Sequence, residues 1–526
     1  MSLALPFTIV GSATLVSRLT GFVRDILIAA ILGASAIADV YVAAFLIPNL
    51  VRRMMSDGAF NAALVPRFAR MEQEGGEQAA RGFSDDVLSL LSVVAIVLVV
   101  VAEFAMPAIM SGLAYGFRAD EAKFADAVLF GRIAFPFVGF VLIVALMSAL
   151  LNACERYAVA ALVPVVLNLL LILVLTILLV VIPMEQRKAG LVLISTVLAA
   201  GFLQLALLWW AASREGFDVR PRPFDALAGR IDPGAKALLL LALPGMIIAG
   251  SGHVHMIVAS QFASLAPKGI SWLYFADRVF QLPLGFVASA VGIVLLPRIS
   301  RALHQGDDDA VASAQSESLV FASLLILPAT MGLYILAKPI AAVLFQRAAF
   351  SAEDALMTGR ILRILALALP AFVLVKVILP HFLAREDMRL PLVAVACALA
   401  ANIAATLYLG DVTPRLAPAW GVVSGAWVNA GILLVAAFGR FRLVPGTIGR
   451  LLAIILATVA MGLLVSFLAE MARPLMDPAL RIAIKGSVLA FICLAGALPF
   501  LLLAWWLGAF DVARARLRDE GPGKID

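Results

Sequence analysis

Ten ionisable side chains sit in stretches of sequence that are otherwise apolar. Arg18, Arg24 and Asp25 fall in the first such stretch. Asp39, Arg52, Arg53 and Asp57 fall in or just after the second, Asp277 and Arg278 in the eighth, and Lys376 in the tenth. A charge at the centre of a bilayer costs about 2.5–3.5 kcal/mol on the insertion scale, so each implies a protein partner, a water-filled cavity or a ligand. Six of the ten are cations and four are carboxylates. The surplus suits an anionic ligand, and arginine's planar fork suits phosphate or carboxylate in particular. The chemistry on offer is therefore binding. Nothing points to catalysis, because the chain has no Walker loop, no HExxH and no GxSxG. His253 and His255 are two apart, on opposite faces of a helix, and His381 beside Pro380 has no ligating neighbours. No catalytic residue, metal or cofactor is expected.

Spacing refines the picture. Arg18 and Asp25 are seven apart, two helical turns, and so share a face. Ser17 and Arg24 mark a neighbouring face, with Gly21 between them leaving room for close approach to the backbone. Two readings stay open: a structural Arg–Asp pair between helices, or a cationic wall facing a ligand. Pro48 should kink the second helix. Arg53 and Asp57, four apart, can pair, which leaves Arg52 without an obvious local partner. Arg278, Gln281 and Gly285 share a face, and Asp277 can reach Gln281 or an arginine of the first helix.

The elements that position these residues must be membrane helices. Of 526 residues, 63% are hydrophobic and 14% charged, too little polar surface to coat a soluble protein of this size. Apolar runs of about 20 residues recur along the whole chain, each long enough for a ~30 Å hydrocarbon core. The predicted fold is an all-α polytopic membrane protein with about fourteen transmembrane helices. The residues between spans, 66–85 among them, read as polar connectors. Cys154, Cys397 and Cys493 are scattered and suggest no disulfide framework. The apolar N-terminus lacks a basic leader region and reads as a retained first span. Counting connectors, 20 Lys and Arg fall on the side of the termini and 9 on the other. By the positive-inside rule both termini are cytoplasmic.

The chain also repeats. LVPRFARMEQEG at 64–75 resembles LLPRISRALHQG at 295–306, and GRI at 131–133 recurs at 359–361. The offset preserves orientation, so the copies form two parallel-repeat six-helix lobes. The domains are then an N-lobe at 1–230, a C-lobe at 231–444, a pair of C-terminal helices at 445–510 and a cytoplasmic tail at 511–526. Two such lobes suit alternating access around a central cavity.

Two long segments resemble a known family. SRLTGFVRDILIAAILGASAIADVYVAAFLIPNLVRRMMSDGAFNAALVPRF, Ser17 to Phe68, is similar to the opening signature of the MurJ (MviN) lipid II flippases. WLYFADRVFQLPLGFVASAVGIVLLP, Trp272 to Pro297, is similar to their second signature. FQRAAFSAEDA at 345–355 and VKVILPHFLAREDMRLP at 375–391 fit as well. The family belongs to the multidrug/oligosaccharidyl-lipid/polysaccharide (MOP) exporter superfamily. The resemblance implies transport of undecaprenyl-diphosphate-linked disaccharide-pentapeptide from the cytoplasmic to the periplasmic leaflet of the inner membrane. It also implies that the final helix pair forms a groove for the polyprenyl tail. The family's cavity charges match Arg18, Arg24, Asp25, Asp39, Arg52 and Arg278, and its small cavity residues match Ala29 and Ser271. Ala29, Ser271 and Asp277 join the arginines as expected substrate-binding residues; Arg53, Asp57 and Lys376 are secondary or gating positions. Asp57 departs from the pattern, since relatives often carry Glu there. Expected partners are lipid II, membrane lipids and wall-synthesis or division proteins, with no nucleic acid. Competing readings are an exporter of another polyprenyl-linked glycan or a drug, a membrane glycosyltransferase, and a scaffold of wall synthesis. Against the glycosyltransferase, no sizeable loop carries clustered carboxylates; against a drug exporter, such proteins usually stop at twelve spans.

Overall fold

A bilayer offers backbone N–H and C=O groups no partners, so a chain this apolar must satisfy them internally, as helices. The computed structural model describes residues 4–510, apart from 57–58, 155, 215–219, 386, 438–441 and 477–479. The side chains of 4–10, 56, 59, 61–63, 241–253, 288–297, 300 and 303–304 also lie outside the description. No strand occurs among the described residues.

Contacts divide the chain into two compact units, Met1–Tyr274 with Arg347–Ser351, and Phe275–Gln346 with Ala352–Asp526. The first holds α1 (Ala4–Leu32), α2 (Ala36–Ser56), α3 (Ala59–Leu113), α4 (Glu121–Ala134) and α5 (Pro136–Ala153). It continues with α6 (Tyr157–Val180), α7 (Gln186–Arg214), the short α8 (Pro223–Leu227), α9 (Pro233–Ala263) and the opening of α10 (Gly269–His304). Here α1 packs on α6, α2 on α4, and α3 on α5 and α9. The second unit takes the rest of α10, then α11 (Asp308–Phe345), α12 (Ala352–Ala366), α13 (Leu369–Leu383) and α14 (Arg389–Gly410). It ends with α15 (Ala417–Ala437), α16 (Thr447–Met471) and α17 (Ile482–Trp506). In it α14 pairs with α15, and α11 packs on α12 and α16. The final pair joins α11 through Ile454, Ala457, Met461, Val465, Ile492 and Phe500, against Leu324, Leu327 and Met331.

Among the described residues, ten helical segments are long and apolar enough to cross a membrane. Helices α1, α2, α9 and α10, with 29, 21, 31 and 36 residues, also have the required length. The chain is an all-α, multi-pass membrane protein.

Two local expectations need correction. The polar stretch 66–85 is helical on both sides of a kink at Gly76, within α3, which runs 55 residues from Ala59 to Leu113. It carries its own support on the exposed face: Arg70 pairs with Glu74 at 2.7 Å and Arg81 with Glu77 at 2.6 Å, both four residues apart. The fourth and tenth runs each break in two, at Phe135 before Pro136 and at Leu367–Ala368 before Pro370. Proline lacks the N–H that would continue the ladder.

Left-handed glycines stand close to both copies of the first repeat motif, one position out of register, since Gly306 aligns with Gly75. The regular path of α3 is interrupted at Gly76 (φ 74°), and α10 and α11 are separated by Gly306 (φ 68°). Both left-handed conformations call for glycine. The second echo behaves alike: Gly131 of α4 lies against Met106 and Met110 of α3, and Gly359 of α12 lies against Ala337 and Lys338 of α11.

Candidate functional site

The charges of α1 are held by a residue that sequence reading overlooked. Asn168, deep in α6, projects at Gly21, where an added Cβ would come within 3.3 Å of its amide nitrogen. A side chain at position 21 would displace this asparagine. Asn168 donates to the Ser17 carbonyl at 2.9 Å and accepts from Arg24 Nη1 at 2.9 Å. Arg24 also donates from Nε and Nη2 to Asp25 Oδ1, at 3.0 and 2.7 Å. The Tyr274 hydroxyl donates to the same oxygen at 3.0 Å. Arg24 is 8% exposed and Asp25 2%. The carboxylate is held by its own neighbour, Arg24, which turns back on it. Three of the five guanidinium donors of Arg24 are engaged within the first unit. Arg18 is half-buried on the same helix.

A second cluster surrounds Asp39, which is 0% exposed. Its Oδ1 accepts from the Ser271 N–H at 2.8 Å and the Ser271 hydroxyl at 2.6 Å, and its Oδ2 accepts from Lys123 Nζ at 2.7 Å. The Lys123 ammonium also lies 4.2 Å from the centroid of the Phe117 ring. Three elements meet here: α2, the opening turn of α4 and the opening turn of α10. A buried carboxylate with a cation and two neutral donors is a well-satisfied strut. Ala29 is completely buried nearer the end of α1, where the Ala30 carbonyl accepts from the Ala349 N–H at 3.1 Å.

Arg52 has the local partner that its spacing did not suggest: Asn49, one turn back on α2, accepts from its Nη2 at 2.8 Å. Arg53 is half-buried, and Asp57, its expected partner, lies outside the described residues. In the second unit, Asp277 accepts from Gln281 at 3.1 Å, the first of its two expected options. Arg278 is half-buried beside it on α10, and Lys376 is exposed on α13. Eight of the positions named from sequence thus fall in the first unit, Arg18, Arg24, Asp25, Ala29, Asp39, Arg52, Arg53 and Ser271, and three in the second, Asp277, Arg278 and Lys376. The described residues hold no group of three or more potential metal ligands, and all three cysteines are free.

The fold matches that of membrane exporters. One similar solved structure is a lipid II flippase MurJ in an inward closed conformation, with a TM-score of 0.74 and 20% identity, covering 97% of this chain and 99% of that one. Another is an inward-facing multidrug resistance MATE family transporter of the MOP superfamily, with a TM-score of 0.64 and 14% identity, covering 81% and 94%. The chain therefore shares the fold of these two structures. Residues 28–481 match the family model described as lipid II flippase MurJ. A probable lipid II flippase MurJ of Rhizobium tropici is 37% identical over 519 residues, 98% of this chain and 96% of that protein. One from Rhizobium meliloti (strain 1021) is 40% identical over 441 residues, covering 84% and 81%. The chain belongs to the lipid II flippase MurJ family.

Proposed function

We propose that this protein is a transporter, not an enzyme, and that it flips lipid II, the undecaprenyl-diphosphate-linked peptidoglycan precursor, from the cytoplasmic to the periplasmic leaflet of the inner membrane. The observation that carries this reading is the match to a relative named for that activity along nearly the full length of both chains. The buried charges of α1, α2 and α10 support it. A diphosphate is a double anion, and Arg18, Arg52 and Arg278 supply the planar donors it requires. Arg24, tied to Asp25 and Asn168, holds α1 in position and brings its remaining donors to the same task. Asp277 orients the polar face of α10 through Gln281, and Lys376 and Arg53 act at the margins.

In this reading 1–230 and 231–444 are the lobes of an alternating-access cycle, and 445–510 carries the lipid tail. Moving anionic cargo out of a negative interior is assisted by about 2.3 kcal/mol per charge per 100 mV. The loaded cavity is nearly neutral and can close. The empty one is positive and is drawn back toward the interior. Collapsing the potential in vesicles should therefore slow flipping severalfold; flipping indifferent to the potential would remove the charge-driven cycle and leave the binding claim in place.

Both termini are cytoplasmic in this scheme, which places residues 118 and 347 outside. With Cys154, Cys397 and Cys493 replaced, single cysteines at 118 and 347 should react with a membrane-impermeant maleimide in intact cells. Labelling only after permeabilisation would reverse the topology. The function itself is tested by expressing the chain in cells depleted of their own lipid II flippase. Growth and lipid II translocation should return, and failure of a correctly inserted chain to restore either would refute the assignment.

A further inference from the structure

The second unit contains a cavity of about 570 Å³ among α11, α12, α16, the 3-10 turn Arg473–Met476 and the first turn of α17. We propose that it binds the phosphate head of an acidic phospholipid of the surrounding bilayer. The site is independent of what the chain carries.

Charge is the first argument. Lys338, Arg363, Arg473 and Lys485 line the cavity, against one carboxylate, Glu470. Glu470 is already engaged by Arg473 at 2.8 Å. Arg363 is held by a neutral group instead: its guanidinium lies 4.3 Å from the Tyr334 ring centroid and donates to the Tyr334 hydroxyl at 3.0 Å. Stacking fixes the plane of the fork without neutralising it. Lys485 is 4% exposed and stands in the opening turns of α17, where the positive end of the helix dipole disfavours a cation.

Depth and shape are the second argument. Arg473 lies in the connection after α16 and Lys485 just inside α17, at the joined ends of two helices long and apolar enough to cross a membrane. Leu463, Phe467 and Met471 of α16 are exposed, an apolar surface suited to acyl chains. Small-molecule pockets span about 300–1,000 Å³. A cavity of 570 Å³ accommodates a phosphoglycerol group and is too small for a disaccharide-pentapeptide. Basic pockets between membrane helices recognise acidic head groups by this combination of cations and apolar walls.

The test uses the purified full-length protein in detergent, titrated with phosphatidylglycerol or phosphatidylcholine and observed by native mass spectrometry. The variant is Lys338→Gln with Arg363→Gln; both side chains are exposed, and its unfolding temperature should match the wild type. Lys485→Gln, which alters a buried group, serves as a second variant with the same expected direction. The wild type should prefer phosphatidylglycerol, and the double variant should lose roughly twenty-five-fold in that preference, about fivefold per cation removed. Equal binding of the two lipids, or an unchanged preference in the double variant, overturns the proposal. A third arm adds inorganic phosphate alone: binding as tight as that of the lipid would make the pocket a site for free anions and refute the lipid assignment.

Discussion

Arg24→Ala is expected to abolish lipid II flipping and to loosen α1 from α6. The substitution removes three hydrogen bonds at once, two to Asp25 and one to Asn168. It leaves the Asp25 carboxylate, 2% exposed, facing the Tyr274 hydroxyl without its guanidinium. Removing one partner of a buried ion pair costs about 3–5 kcal/mol, so a lower unfolding temperature accompanies the lost activity. Arg24→Lys separates the two effects. A lysine can keep the charge beside Asp25 but cannot also span to Asn168, because one ammonium does not reproduce a planar fork. Most of the stability should return while flipping stays at least tenfold down, a difference of about 1.4 kcal/mol in the barrier. Flipping by Arg24→Lys at the wild-type rate would show that charge alone suffices at this position.

The second large effect is expected at Asp39. Asp39→Asn discards the ion pair with Lys123 and leaves an ammonium whose side chain is 12% exposed without its carboxylate. Lys123→Met leaves the carboxylate with only the Ser271 donors among the contacts described above. Each single change should destabilise the protein by about 3–5 kcal/mol, and the double variant by clearly less than their sum, since replacing both partners removes the stranded charge. A thermal-unfolding double-mutant cycle measures this directly. Additive losses would mean that the 2.7 Å contact contributes nothing specific. Asp39 is fully enclosed and ties α2 to α4 and to the start of α10.

The helical membrane architecture was legible because hydropathy reports burial in lipid directly. The breaks within helices were harder to see, since uniformly apolar runs carry no periodicity that changes at a kink. Pro136 and Pro370 were the available signals. Polar composition misled at 66–85, where charged side chains four apart support an exposed helix as readily as a loop. At the site, the ionisable residues announced themselves by being out of place, but their partners did not. Asn168 is a single amide in the run YAVAALVPVVLNLLLILVLT, and such a residue in a membrane helix is a candidate hydrogen-bond partner on the same grounds as a charge. Lys123 was counted only as a connector charge, because nothing in its local sequence links it to Asp39, 84 residues earlier. Pairing across that distance is a property of the packing.

The most direct measurement of the central claim is lipid II flipping in proteoliposomes by the wild type and by Arg278→Ala, at matched protein content and imposed potential. Arg278, on α10 in the second unit, is a better probe than Arg24, whose loss also strips Asp25 and Asn168 of their hydrogen bonds. Loss of one charge-assisted contact, about 1.5–3 kcal/mol, corresponds to roughly a tenfold to hundredfold fall in rate with folding retained. Flipping by Arg278→Ala at the wild-type rate would contradict the proposal that these cations hold the anionic head of the lipid.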